Sequence, residues 1–555
     1  SGGRPSVDSA VASLLAAFIL SILGLFAFIW SLRKGLLVEN PRAASVIFDP
    51  GEIGRADDPA LRAPARQTLQ AEITRLEPPP EAVDQQQVQE RIEADRSSAF
   101  PVFLFIAFAC LWLLIGSLAG LVASIKLHQP DWLVDAAWLT FGRMRTVHLN
   151  AVIYGWASNA CLAVILWLLP RLLNTRLVGA NWAMMGGACI NAGVAAGIGA
   201  IASGWSDGME FLEIPWQIDI FIFAGFAMII LPALFTLARR RVEHLYVSLW
   251  YFIASLFWIA LLFLVANLPG THFGVQQATT NWWYGHNALG LWFTPVSVGA
   301  IYYFLPKIIG RPIRSYNLSL LGFWTLAFFY PQVGGHHLIG GPVPGWLTTL
   351  SIVQSVMMVI PVIAFSINQG GTLWGRMHLA RWSPTLRFMM FAGLMYVASS
   401  VEGSLEALRS VNAVAHFTHF TVAHAHLGMY AFVSMAMFGA IYFMLPRVLA
   451  REWPYPWMIN LHFWLVALGI LVYVIGLSIG GWLQGLAMLD ATRPFIESVT
   501  LTMPWLELRS YAGLALTIGH FVFVAHVLAM MFGFGPERTG AARFGNPFTR
   551  LAHGK

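Results

Sequence analysis

A chain of 555 residues that is 57% hydrophobic and only 11% charged is no ordinary soluble domain, in which roughly a quarter of residues are charged. Its formal charge of +6 does not point to a nucleic-acid partner, because the cations fall in short groups between apolar stretches and form no basic face. Cys110, Cys161 and Cys189 lie far apart inside apolar runs, which leaves no disulfide framework, no cysteine metal spacing and no C-x-x-C-H heme attachment.

Apolar runs of about 20 residues, each long enough to cross a bilayer as a helix, recur along the chain. They lie near 10–32, 100–125, 146–170, 178–203, 214–238, 245–268, 279–306, 317–339, 347–369, 386–408, 415–446, 458–480 and 505–532. This predicts an all-α polytopic membrane protein, with one N-terminal span ahead of a twelve-helix body. Between them, residues 35–99 carry "EPPPEAVDQQQVQERIEADR", which reads as a proline-punctuated linker with one short helix. The chain therefore divides into 1–95 and 96–555, and no internal repeat stands out. Arginine and lysine flank alternate loops: Arg33 and Lys34, Arg171 and Arg176, Arg239 to Arg241, Lys307 and Arg311, Arg376 and Arg381, Arg447 and Arg451, Arg538 and Arg543. The positive-inside rule puts these loops in the cytoplasm, the N-terminus outside and the C-terminus inside.

Six histidines then share one depth. His148 lies just inside the outer end of the second body span, and His286 about two turns into the sixth. His336 and His337 end the seventh, while His424 and His426 lie about two turns into the tenth. Any one of them alone is more often an interfacial or core residue, but ionisable groups inside a membrane are costly and mark function. Residues i and i+2 of a helix point about 200° apart, so His424 and His426 serve two different centres. His336 and His337 differ by about 100° and follow two glycines, so both can reach one ion together with His286. Three imidazoles without thiolate or carboxylate suit copper or zinc. His148 with His426 would make a six-coordinate heme, and His424 alone a five-coordinate heme open towards the three-histidine metal.

The stretches "WLTFGRMRTVHLNAVIYG", "WWYGHNALG", "YYFLPKIIGRP", "GGHHL", "VEGSLEALRSVN" and "HAHLGMY" resemble the catalytic subunit I of heme–copper oxidases, and most closely its cbb3-type branch, over roughly residues 96–535. The resemblance implies that His148 and His426 hold a low-spin heme b. It gives His424 to a high-spin, b3-type heme, and His286, His336 and His337 to the copper called CuB. Tyr330, six residues before His336, corresponds to the redox-active tyrosine, which implies a covalent link to His286. Glu210, Glu213 and Glu402 match acidic positions, and Glu210 or Glu213 is a candidate ligand for Ca²⁺. The implied activity is four-electron reduction of O₂ to water with electrons from cytochrome c, coupled to proton uptake and translocation across a bacterial inner membrane. Membrane-anchored c-type cytochrome subunits or soluble cytochrome c would be the partners, as this chain lacks a heme c motif. The N-terminal segment, with "IFDPGE", is similar to a small single-span oxidase maturation protein.

Tyr316, Ser319 and Thr325 suggest a proton path along the seventh body span towards Tyr330. Tyr316 and Ser319 share a face with Tyr330, and Thr325 points away. Gly322 and His419 depart from the family's usual histidine and aspartate, which puts its proton handling in doubt. A nitric oxide reductase has the same scaffold but adds a glutamate four residues after the sixth-span histidine, where this chain has Gly290. A secondary transporter would also be long and apolar, but its sites form near the midplane at broken helices.

Overall fold

The computed structural model describes residues 41–49, 51–76 and 85–538, with scattered positions between 22 and 33. Apart from those positions, the N-terminal span expected at 10–32 lies outside the described residues. Ahead of the body come two short helices, α1 (Pro41–Ser45) and α2 (Ala63–Thr74). The body runs through α3 (Gln85–Lys126), α4 (Phe141–Leu172), α5 (Ala180–Ser203), α6 (Trp216–Ala238), α7 (Val247–Ala266) and α8 (Val275–Ile309). It continues through α9 (Tyr316–Phe329), α10 (Gly345–Leu373), α11 (Pro384–Glu406), α12 (Arg409–Ala415), α13 (His419–Leu449), α14 (Pro456–Leu489) and α15 (Phe495–Met531).

Among the described residues, 11 helices are long and apolar enough to span a bilayer. The seventh body span is built differently. After the 14 residues of α9 the chain tightens into a 3₁₀ stretch, Tyr330–Leu338, that carries both paired histidines. A 3₁₀ turn is sterically poorer than an α turn and commonly marks a functional distortion.

Burial sorts the spans into two rings. The most hydrophobic windows of α4, α8 and α13 are 94%, 89% and 83% buried, whereas the other spans reach at most 61%. These three inner helices share one design that their sequences hide. Each carries its histidine just before a π-helical segment: Ala151–Ala157, Ala288–Phe293 and Leu427–Ser434. Each then ends on a leucine, a proline and a buried cation, at Leu169–Arg171, Leu305–Lys307 and Leu445–Arg447. The chain thus has an internal repeat, contrary to the sequence reading. The repeated residues are few, and lipid-facing spans between them are all equally apolar.

The described residues of 41–95 pack against the body, while the proline-punctuated stretch at 77–84 lies outside the described residues. The former supply each buried cation with a carboxylate: Asp95 to Arg171, Glu52 to Lys307 and Asp57 to Arg447. Asp58, fully buried, accepts hydrogen bonds from the Ser383 and Thr385 hydroxyls (2.5 Å each) at the N-terminus of α11. A carboxylate there complements the helix dipole. The 95/96 boundary read from the sequence falls inside the continuous helix α3.

Candidate metal and heme centre

All six histidines line a single cavity of about 660 Å³ enclosed by the inner helices and their neighbours. In one half, the rings of His148 on α4 and His426 on α13 face each other 6.3 Å apart and only 8° from parallel. Two metal–imidazole bonds of about 2 Å each, plus half a ring on either side, add to about 6 Å, so the pair fits one ion between them. His148 Nδ1 lies 2.8 Å from the Gly116 carbonyl, and His426 Nδ1 lies 2.8 Å from that of Val422. A carbonyl only accepts, so both Nδ1 atoms carry the proton and both Nε2 atoms are left as ligands. The Tyr473 hydroxyl sits 3.2 Å from His426 Nε2.

In the other half, His286, His336 and His337 bring three ligand nitrogens within 4.8 Å of one another. They form the one such three-residue group among the described residues. Ser355 on α10 donates its hydroxyl to the Ser351 carbonyl (2.7 Å), so it accepts from His336 Nδ1 (2.9 Å). His336 Nε2 is thereby aimed at the group. His337 is stacked on Trp282 at 4.1 Å. His286 Nδ1 is buried with no hydrogen-bond partner, an expense that a bound metal removes. The donor set and this orphaned nitrogen fit an imidazole-bound ion such as copper.

Two glycines make this convergence possible. A Cβ on Gly334 would strike the Trp282 carbonyl and approach His286 Cβ at 2.9 Å; without one, the 3₁₀ stretch lies directly against α8. A Cβ on Gly290 would overlap the ring of Tyr330. Tyr330 thus occupies the space above Gly290, with its ring 5.1 Å from that of His286. His424 projects into the same half, and its Nδ1 lies 3.1 Å from Glu402 on α11. His424 thus lies beside Glu402 while His426 lies opposite His148.

Glu210 pairs with Arg145 at 2.6 Å, while Glu213 accepts from Asn150 at 3.0 Å, and burial raises the Glu213 carboxyl above its ordinary value. His419 lies at the cavity wall, its backbone N–H bonded to Gln484 at 3.0 Å. Along α9, the hydroxyls of Tyr316, Ser319 and Thr325 donate to the carbonyls of Leu245, Tyr316 and Leu321. Thr325 is on the outward side, apart from the other two. The space beside Gly322 is bounded by the Tyr251 hydroxyl, 3.6 Å from where a Cβ would stand. Tyr251, Ser355 and Trp282 escape the sequence reading, because their roles depend on neighbours many residues away.

The family described as cytochrome c and quinol oxidase polypeptide I matches residues 101–515. A cytochrome c oxidase subunit 1 homolog of Agrobacterium tumefaciens is 33% identical over 79% of this chain and 84% of its own length. The cbb3-type cytochrome c oxidase subunit CcoN1 of Stutzerimonas stutzeri is also 33% identical, over 77% of this chain and 92% of its own. A heme–copper terminal oxidase dimer solved by cryo-electron microscopy shares the fold, with a TM-score of 0.62 over 82% of this chain and 89% of that one at 14% identity.

Proposed function

Since the chain belongs to the cytochrome c and quinol oxidase polypeptide I family, and is a membrane oxidoreductase of the cytochrome c oxidase kind, we propose that it is a cbb3-type catalytic subunit that reduces O₂ to water. Hemes and copper are the family's cofactors. When bound, they supply O₂ binding and stepwise electron delivery. His148 and His426 would hold a low-spin heme b, His424 a b3-type heme, and His286, His336 and His337 the copper. Glu402 orients His424, Ser355 orients His336, and the Trp282 ring fixes His337. Tyr330, joined to His286, supplies a proton and an electron at the reacting oxygen.

The observation that carries this reading is the packing of Tyr330 on Gly290. The competing nitric oxide reductase arrangement needs a glutamate at 290, where no side chain fits beside Tyr330. Metal analysis tests the choice: copper with two hemes supports O₂ reduction, and non-heme iron supports the reductase. Electrons come from c-type cytochrome subunits or soluble cytochrome c on the outer side, and protons from the cytoplasm along α9 through Tyr316 and Ser319. Glu210 or Glu213 remains the candidate for a calcium ion beside the hemes. The N-terminus lies outside and the C-terminus inside a bacterial inner membrane. Residues 1–95 serve assembly and stability, because none of the six histidines comes from them.

A further inference from the structure

The helices α5 and α6 pack backbone to backbone where Gly186 meets Gly225: a Cβ on either would stand 2.6 Å from the other's carbonyl oxygen. Towards their arginine-rich ends large side chains take over, and the two helices enclose a cleft of about 430 Å³. Its walls are the rings of Trp182 and Phe235, 42% and 45% exposed, and Arg239 lines it as well. Gly179 leaves the space between the walls open, since a Cβ there would lie 3.5 Å from Trp182 Cδ1 and 3.6 Å from Phe235 Cδ2. Both helices belong to the outer ring, with their most hydrophobic windows 44% and 39% buried. The cleft therefore opens on lipid, and it shares no lining residue with the histidine cavity.

Hydrogen bonds hold this cleft in shape. Val178 donates its N–H to the Thr236 hydroxyl at 3.0 Å, and Thr236 donates onward to the Pro232 carbonyl at 2.6 Å. Arg241 donates its N–H to the Leu173 carbonyl at 3.0 Å. The loop between α4 and α5 is thereby tied to the end of α6, so the cleft is preformed, as ligand clefts usually are. Its charge is one-sided. Arg239, Arg240 and Arg241 follow α6 directly. Arg240 donates to the Leu237 carbonyl at 3.5 Å, and among the described residues neither Arg239 nor Arg240 pairs with a carboxylate. Arg176 differs, because Glu93 holds it at 2.8 Å. The start of α5 has no side-chain cap, so its positive dipole end adds to the field of the arginines.

From these residues we infer a binding site for an acidic phospholipid. Its phosphate lies beside Arg239 and the start of α5, and one acyl chain runs between the rings of Trp182 and Phe235. The charge selects an anion, and the apolar walls select an anion that carries a chain. A basic pocket between spans, at the level where the helices leave the bilayer, is the place where anionic headgroups bind. Tryptophan is also at home at that level, with its ring in the acyl region and its N–H towards the headgroups. Orienting the spans needs only charge in the loop; it explains neither the cleft nor its aromatic walls. The site does not depend on what the chain reduces, so its failure would leave the oxidase reading untouched.

The test is native mass spectrometry of purified, delipidated holoenzyme in a neutral detergent, titrated with dioleoylphosphatidylglycerol or, separately, with dioleoylphosphatidylcholine. The parent should bind its first phosphatidylglycerol about ten-fold or more tightly than phosphatidylcholine, as expected for a site with at least two free cations. Arg239→Gln and Arg240→Gln should each weaken that first phosphatidylglycerol by about five-fold. Trp182→Ala should weaken it as well, because the acyl chain loses an apolar wall. Arg75→Gln, which removes the same charge from an exposed pair on α2, should bind like the parent. Equal affinity of the parent for the two lipids, or parental affinity in Arg239→Gln, overturns the site. A first phosphatidylglycerol that inorganic phosphate displaces, with Trp182→Ala at parental affinity, marks a bare anion site and overturns the lipid assignment. Should a variant fail to yield holoenzyme, the comparison of the two lipids on the parent still decides.

Discussion

Removing the Asp57 carboxylate by Asp57→Ala should weaken the whole protein although Asp57 is remote from the histidines. Arg447 is only 5% exposed and its partner Asp57 27%. Without the carboxylate, Arg447 keeps the Phe443 carbonyl at 3.0 Å and the face of the Phe443 ring at 4.0 Å, but no counter-charge of its own. Breaking one partner of a buried pair costs about 3–5 kcal/mol. Asp57 is partly exposed, so the lower end, about 3 kcal/mol, is expected, or roughly a hundred-fold in an equilibrium constant. Membrane proteins of this size unfold irreversibly, so the assay is the half-life of the heme absorbance in detergent at a fixed raised temperature. The half-life should shorten by up to about a hundred-fold, while the exposed pair Arg75–Glu72 can be broken almost without effect. The double variant Asp57→Ala/Arg447→Met should recover much of the loss, because no buried charge is then left unpaired. A parental half-life for Asp57→Ala, or strictly additive losses in the double variant, would refute the reasoning. The pH dependence has a fixed sign. Burial alone would raise the Asp57 carboxyl, but Arg447, Arg538 and Lys307 outweigh it and hold the group below its ordinary 3.8. The stabilisation is therefore complete above that value and is lost as the pH falls below it, so parent and Asp57→Asn should converge in acid.

His426→Ala should remove the low-spin heme spectrum and His424→Ala the carbon monoxide-binding one; loss of the same signal in both would overturn the two-centre assignment. His337→Ala should abolish O₂ reduction and copper binding yet keep the low-spin heme, and an active, copper-loaded variant would show that the paired histidines do not share one ion. Peptide mass spectrometry of active enzyme should find Tyr330 joined to His286, and Gly290→Ala should lower the joined fraction, since overpacking of about 1–3 kcal/mol must push Tyr330 aside. Two unmodified peptides from active enzyme would rule the link out. Tyr316→Phe and Ser319→Ala should slow turnover while heme reduction by the donor stays fast, and parental turnover in both would move proton delivery away from α9.

The sequence by itself determined the class of the protein and singled out the six histidines that line one cavity. A bilayer demands long apolar helices whatever they pack against, so the spans are legible one at a time. The i, i+2 spacing of His424 and His426 and the adjacency of His336 and His337 are local facts that survive any tertiary arrangement. What the sequence could not reveal depended on which helices lie side by side. The repeated inner helices appear only once burial separates α4, α8 and α13 from equally apolar neighbours. The polar stretch ahead of the body looks like a solvated linker until Glu52, Asp57 and Asp95 are found on three buried cations. Ser355 and Tyr251 matter only through partners on other helices, and the same holds for the cleft between α5 and α6. In a membrane every span must be apolar, so composition does not distinguish a lipid-facing helix from one at the core. The choice of neighbours rests on close packing and hydrogen bonds between helices, and those exist only in the folded chain.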